Sequence, residues 1–112
     1  MQLDKDARDA LTSPENQVFV SSASVWEIAI KQASGGIIFP LDRFDDISRR
    51  MSLDILPISL AHAILAGSLP PYHRDPFDRM LIAQAMVEKL ILVTKDRQIM
   101  RYDVPIFGSG MP

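Results

Sequence analysis

The stretch HRDPFDRMLIAQA, residues 73–85, sets two carboxylates at the start of an otherwise apolar helix. Asp75 fits the N-cap position, Pro76 fits the first helical position, and Asp78 fits the third, where a negative charge favours the helix dipole. The residues that follow predict a long helix from Pro76 to about Lys89. A buried helix that opens with acids is either well capped or built around a metal ion.

The same order of residues occurs twice more, in VFVSSASVWE at residues 18–27 and in LILVTKD at residues 90–96. In both stretches an apolar run ends in hydroxyl side chains and then an acid, which is Glu27 in the first and Asp96 in the second. Helix capping is one explanation, because Ser24 and Glu27 have capping-box spacing and Asp96 can cap a short turn. The three sites together favour a second explanation, which is a shared ligand site.

The shared-site explanation depends on the geometry of a parallel sheet. Ligands of such sheets bind at the carboxyl ends of the strands, and Glu27 and Asp96 both come just after such ends. Asp78 faces the same cleft if the connector at residues 70–74 lets its helix begin above the sheet. Oxygen-only clusters of this kind suit Mg²⁺ or Mn²⁺. We therefore expect Glu27, Asp78 and Asp96 to converge on one cleft, within reach of a common ion.

The composition indicates an ordinary globular protein of 112 residues, with one domain expected over residues 1–112. No apolar run is long enough to span a bilayer and the first residues resemble no signal peptide, so a cytoplasmic location and no membrane partner are expected. Because cysteine is absent, only oxygen ligands or His62 and His73 would hold a metal. A net charge of −2 means that nucleic-acid binding needs a local basic patch, for which five basic residues lie near the acids: Lys31, Arg74, Arg79, Lys95 and Arg97.

Predicted strands alternate with predicted helices along the chain. The helices are expected at residues 4–11, 24–33, 41–51, 59–69, 76–89 and 96–101, and the strands at residues 17–21, 55–58, 90–94 and 104–107. Ser59 is the expected cap of the fourth helix. This alternation predicts an α/β sandwich, with a parallel sheet joined by right-handed crossovers.

Three strings, VFVSSASVWEIAIKQ, LPPYHRDPFDRMLIAQAMVEKLILVTKD and YDVPIF, resemble the PIN-domain ribonucleases, in particular the VapC-like toxins of toxin–antitoxin pairs. The resemblance implies a PIN-like three-layer α/β sandwich, with a parallel sheet flanked by helices. It also implies cleavage of single-stranded RNA by a Mg²⁺ or Mn²⁺ site, an antitoxin partner, and a homo-oligomer. The residues that match the family's acidic positions are Glu27, Asp78 and Asp96, while Asp75 matches as the helix cap. Arg74, Arg79 and Lys95 are the expected contacts to RNA phosphates.

One part of the family pattern has no match in this sequence. Family members begin with an apolar strand in the middle of the sheet, and it ends in an Asp that is a principal metal ligand. Here the first residues, MQLDKD, resemble the region that follows that strand, and neither Asp4 nor Asp6 matches the ligand. The first, central strand is therefore expected to be missing from this sequence. Because Mg²⁺ gives up its hydration water reluctantly, weak or absent nuclease activity is expected.

A non-catalytic interaction module is the alternative function. An uncovered strand edge or apolar helix face favours self-association or antitoxin binding. A receiver-like phosphoacceptor domain is disfavoured because no Asp ends an apolar strand near the middle of the chain. Trp26 is expected in a core or an interface, Met80 and Met86 are expected as core fillers, and no catalytic role is expected for His73.

Overall fold

The computed structural model describes residues 5–94 and 99–107. Its α-helices are α1 (Lys5–Thr12), α2 (Ser22–Ala33), α3 (Phe44–Arg50), α4 (Leu60–Ser68) and α5 (Pro76–Glu88). Its strands are β1 (Val18–Ser21), β2 (Leu53–Leu56), β3 (Leu92–Val93) and β4 (Ile106–Phe107), and short 3₁₀ turns cover Leu41–Arg43 and Ile99–Arg101. Within the described ranges, no helix is long and apolar enough to cross a membrane.

The chain divides into two compact units, one formed by Gln17–Ile58 and the other by the residues before and after it. In the Gln17–Ile58 unit, β1 pairs in parallel with β2, with Val18 opposite Leu53. In the other unit, β3 pairs in parallel with β4, with Leu92 opposite Ile106. Parallel pairs joined through helices confirm the predicted mixed α/β class and are consistent with the PIN-like fold. The single domain over residues 1–112 stays a prediction.

The core of the larger unit lies between α4, α5 and the segment after β3. Met80 and Met86 pack against it while remaining partly exposed, which confirms them as core fillers. The buried members are Ala66, Leu69, Ile82, Ala83, Ile99 and Tyr102. Their burial explains why α5 forms despite its weakly amphipathic sequence, since most helical stability in proteins comes from packing.

The two helices of this core are held together where α4 begins and α5 ends. Ser59 caps α4 by accepting a hydrogen bond from the His62 N–H at 3.2 Å, and the Ser59 N–H donates to His62 Nδ1 at 3.0 Å. His62 Nε2 lies 2.8 Å from a Glu88 carboxylate oxygen in the last turn of α5. The His62 side chain is buried, so this reciprocal cap also links the start of one helix to the end of the next.

In the smaller unit, α2 begins earlier than predicted. Ser21, the last residue of β1, is the N-cap, and its hydroxyl accepts from the Ala23 N–H at 3.0 Å. The predicted capping box of Ser24 and Glu27 is therefore wrong, because the strand passes directly into the helix and places Glu27 in its second turn. The helix ends at Ala33 as predicted, and Gly35 follows with a φ of 83°, a left-handed conformation that glycine adopts without strain.

Two strands also differ from the sequence prediction. Strand β2 covers Leu53–Leu56 rather than residues 55–58, because Ser52 takes a left-handed conformation that ends the preceding turn. Pro57 consequently follows the strand instead of lying within it. Within the described residues, strand β3 pairs at Leu92 and Val93, opposite Ile106 and Phe107, where the sequence predicts a strand over residues 90–94. Hydrogen-bond pairing rather than local apolarity sets the length of a strand.

The end of α5 provides a test of backbone strain. Lys89 adopts a left-handed conformation, with φ 57° and ψ 47°, while the Leu90 N–H bonds back to the Ala85 carbonyl. Glycine occupies this conformation without the steric conflict of a β carbon. We expect Lys89→Gly to raise the free energy of unfolding by about 1 kcal/mol, measured by urea denaturation. Lys89→Ala keeps the β carbon and serves as the control, and an equal gain in both variants would contradict the strain argument.

Candidate active site

Two aspartates at the start of α5 have different environments. Asp75 is the N-cap, and one of its carboxylate oxygens accepts from the Phe77 N–H at 2.8 Å and from the Asp78 N–H at 3.3 Å. Pro76 fills the first helical position, where no backbone donor is needed. Asp75 is therefore a capping residue, as the sequence predicts, while Asp78 lies in the first turn of the helix.

The Asp78 carboxylate contacts His73, which lies in the connector before the helix. The distance from His73 Nε2 to Asp78 Oδ2 is 3.0 Å, and the two side chains are 13% and 28% exposed. On the other side of the ring, Nδ1 accepts a hydrogen bond from the Asp75 N–H at 3.2 Å. A neutral imidazole has one donor and one acceptor nitrogen, so this contact places the proton on Nε2, directed at Asp78.

The backbone of the connector is held by Tyr102. The His73 N–H donates to the Tyr102 hydroxyl oxygen at 2.9 Å, and that hydroxyl donates to the Pro70 carbonyl. The Tyr102 ring is buried and packs edge-on against Tyr72, with ring centroids 5.1 Å apart. Arg101 completes the cluster with its guanidinium carbon 4.5 Å from the centre of the Tyr72 ring. The connector is therefore fixed by a residue that follows it by almost thirty positions.

Arg79 holds the same connector from α5. One terminal nitrogen donates to the carbonyls of Ala66 and Leu69, each at 2.9 Å. The other donates to the carbonyls of Pro70 and His73, each at 3.2 Å. These carbonyls belong to the last turn of α4 and the chain just beyond it, where backbone acceptors lack helical partners. The geometry gives Arg79 a structural role, and its predicted RNA contact stays a prediction.

Glu27 lies in the other compact unit, in the second turn of α2. Its carboxylate is 3.6 Å from the Lys31 ammonium group, one helical turn later, and the two side chains are 32% and 59% exposed. Such exposed pairs are weak, so a stronger cationic ligand can compete with the lysine. The carboxylate is accessible, as a metal ligand requires.

Asp96 and Lys95 lie outside the described residues, so the predicted convergence of Glu27, Asp78 and Asp96 stays a prediction. Across residues 5–94 and 99–107, no three acidic or histidine side chains come close enough together to form a metal site. The Asp78 and Glu27 side chains are each a partly exposed carboxylate. Carboxylate oxygens are the donors that hard divalent cations prefer, so each residue type fits a Mg²⁺ or Mn²⁺ ligand. Arg74, one of the predicted RNA contacts, is exposed just before the start of α5.

Comparison with known proteins identifies the class of this fold and site. The model of the PIN domain family matches residues 2–105, which is nearly the whole chain. This protein therefore belongs to the PIN-domain family, whose members are generally nucleases that use divalent metal ions. No curated protein and no solved structure matches it.

Sequence reasoning missed the residues that hold the connector. The sequence predicts no catalytic role for His73, and the contribution of Tyr102 has no local signal because the two residues are far apart in sequence. A histidine two positions before an N-cap aspartate is a usable signal, since its ring can accept the N–H of that aspartate. The Arg101 contact with Tyr72 likewise depends on the tertiary fold.

The role of Arg79 can be tested by changing the shape of its cation. Lysine keeps the charge but lacks the planar fork that serves several acceptors at once. We expect Arg79→Lys to lower the free energy of unfolding by about 1–3 kcal/mol, measured by urea denaturation followed by circular dichroism. Arg74→Lys makes the same change at an exposed position and should stay within about 0.5 kcal/mol of the parent. Equal effects at the two positions would contradict the structural role.

Proposed function

We propose that this protein is a VapC-like, metal-dependent endoribonuclease that cleaves single-stranded RNA. The main observation behind the proposal is that the two aspartates at the start of α5 have different partners. Asp75 satisfies the helix N-terminus, which leaves the Asp78 carboxylate, oriented by His73, as the charge at a partly exposed position. A negative charge in the first turn also favours the helix dipole, so the support for Asp78 as a ligand comes from its partial exposure and from the contact with His73 that orients its carboxylate.

In this proposal Glu27, Asp78 and Asp96 are the protein ligands of Mg²⁺ or Mn²⁺. A bound divalent ion supplies polarisation of the phosphodiester and activation of a water molecule. Arg74 and Lys95 contact RNA phosphates. Arg79 ranks last among the proposed phosphate contacts, because its guanidinium already serves four backbone carbonyls. The exposed Arg74 is the last residue of the connector, next to the N-cap of α5, and this position supports an RNA path past Asp78.

The resemblance to VapC-like toxins implies a further acid, which ends the family's first strand. We propose that full activity needs this acid together with Glu27, Asp78 and Asp96. Fewer carboxylates leave a hard cation with more of its hydration shell and a faster exchange rate. We therefore expect the 112-residue chain to cleave RNA more slowly than a chain extended by a strand that supplies this acid.

The nuclease proposal is tested with a fluorogenic single-stranded RNA of mixed sequence in Mn²⁺ or Mg²⁺. We expect negligible cleavage by the chain as given, and cleavage when a family-like strand ending in Asp is fused ahead of Met1. Asp78→Asn in the fused protein should lower the rate by more than about 100-fold, since it removes a proposed ligand charge. Asp75→Asn is the matched control, because asparagine also caps helices and should largely preserve activity.

Two outcomes would contradict parts of this proposal. Cleavage by the unextended chain that is abolished by EDTA and by Asp78→Asn would show that the further acid is not required. A well-folded fused protein that binds Mn²⁺ but cleaves no RNA would contradict the nuclease function itself.

An interaction module is the second candidate, and one observation favours it. Leu60 and Ile64 lie one turn apart on α4 and are 78% and 65% exposed. On α2, Trp26 and Ile30 have the same spacing and are 59% and 46% exposed, so Trp26 is not a core residue. Paired apolar side chains on the outside of a helix are typical of surfaces that contact a partner, either an antitoxin or a second copy.

We expect the parent chain to form a homo-oligomer in solution and Ile64→Glu to shift it toward the monomer, because a charge disrupts apolar packing. Light scattering coupled to size-exclusion chromatography measures the mass. Ile38→Glu makes the same substitution at a fully exposed position outside α4 and serves as the control. A parent chain that remains a stable, folded monomer at high concentration would contradict self-association through α4.

A further inference from the structure

We propose that His73 is a positioning residue that holds the Asp78 carboxylate in the orientation needed to bind a divalent cation. This inference rests on the proposed metal-dependent function and assigns a role to a residue outside the set of acids. Its basis is the contact of 3.0 Å from His73 Nε2 to Asp78 Oδ2, made by a side chain that is only 13% exposed. A metal-binding carboxylate generally needs such an outer hydrogen bond to fix its orientation.

The contacts of His73 fix which nitrogen carries the proton. Nδ1 accepts from the Asp75 N–H at 3.2 Å, and that N–H belongs to the N-cap residue of α5, whose own side chain is bonded to the helix. A proton on Nδ1 would point directly at this N–H, so the neutral ring must carry its proton on Nε2. The Nε2–H therefore donates to Asp78, which is the arrangement that suits an ionised carboxylate.

The position of the ring is fixed from the backbone as well. The His73 N–H donates to Tyr102, and the His73 carbonyl accepts from Arg79. The residue is thus held by the helix start of α5, by Arg79 within that helix, and by the segment after β3. A side chain whose backbone and one ring nitrogen are all engaged has few alternative rotamers, so the remaining nitrogen is a well-placed donor.

His62 provides an internal comparison. Its Nδ1 accepts from the Ser59 N–H and lies 3.4 Å from the Gln84 side-chain nitrogen, and its Nε2 contacts the Glu88 carboxylate. Both histidines thus contact a backbone N–H through Nδ1 and a carboxylate through Nε2. His62 is almost completely buried between two helices and completes a capping box, which accounts for its contacts. The partner of His73 is instead an acid in the first turn of a helix that Asp75 already caps. The contacts of His62 therefore link two helices, whereas the contacts of His73 orient the Asp78 carboxylate.

The nitrogen that carries the proton of the His73 ring can be identified by NMR without metal or substrate. We expect long-range ¹H–¹⁵N spectra of the parent chain to show the Nε2–H form for both histidines, with the His73 signals assigned by their loss in His73→Gln. Because the chain has only two histidines, the spectrum separates them directly. A His73 ring that is protonated on Nδ1, or averaged between the two forms at neutral pH, would overturn the proposal.

The effect on the cation is measured by Mn²⁺ line broadening at the Asp78 amide, which detects weak binding. We expect His73→Phe to raise the Mn²⁺ concentration for half-broadening by about 10–100-fold, and His73→Gln to recover most of the loss, because its side-chain N–H reaches the same carboxylate. Circular dichroism melting of both variants separates this effect from unfolding. Equal Mn²⁺ affinity in folded His73→Phe and parent overturns the positioning role. Equal broadening in Asp78→Asn and parent instead contradicts Asp78 as a ligand, and with it the proposed function.

Discussion

The hydrogen bonds from Arg79 to the end of α4 are the interaction on which the candidate site depends. A helix leaves its last carbonyls without partners, and α4 ends in a connector that contains two consecutive prolines. The guanidinium donates to two carbonyls of the helix end and two of the connector, which brings the start of α5 beside the end of α4. At the opposite end of the same helix pair, His62 and Glu88 make the matching link. The pair is therefore fixed at both ends, and Asp78 lies at the end that Arg79 fixes.

A series of short hydrogen bonds connects Arg79 to the Asp78 carboxylate through His73. Tyr102 and Arg79 hold the backbone of His73, the Asp75 N–H sets the proton on its ring, and that proton is directed at Asp78. Each contact is a single hydrogen bond of ordinary strength. Together they fix the orientation of the Asp78 carboxylate. An oriented carboxylate loses less conformational entropy when it binds a cation.

The acids of this protein share a residue type but differ in their roles. Asp75 uses its carboxylate to satisfy backbone N–H groups, whereas Asp78 has a histidine partner and Glu27 only a weak pair with Lys31. These environments correspond to a cap, a carboxylate held by a histidine and an accessible carboxylate. Family membership adds the chemical context, since PIN domains generally use divalent metal ions.

Sequence alone determined the mixed α/β class, the limits of α5 and the cap at Asp75, because these depend on local order: alternating elements, a proline at the first helical position, and an acid just before it. It placed β2 two residues late and assigned the cap of α2 to Ser24, because strand pairing and a direct strand-to-helix junction decided those boundaries. Only the tertiary structure connected Tyr102 to His73. That contact depends on where the folded backbone brings two distant residues, and no spacing along the chain encodes it.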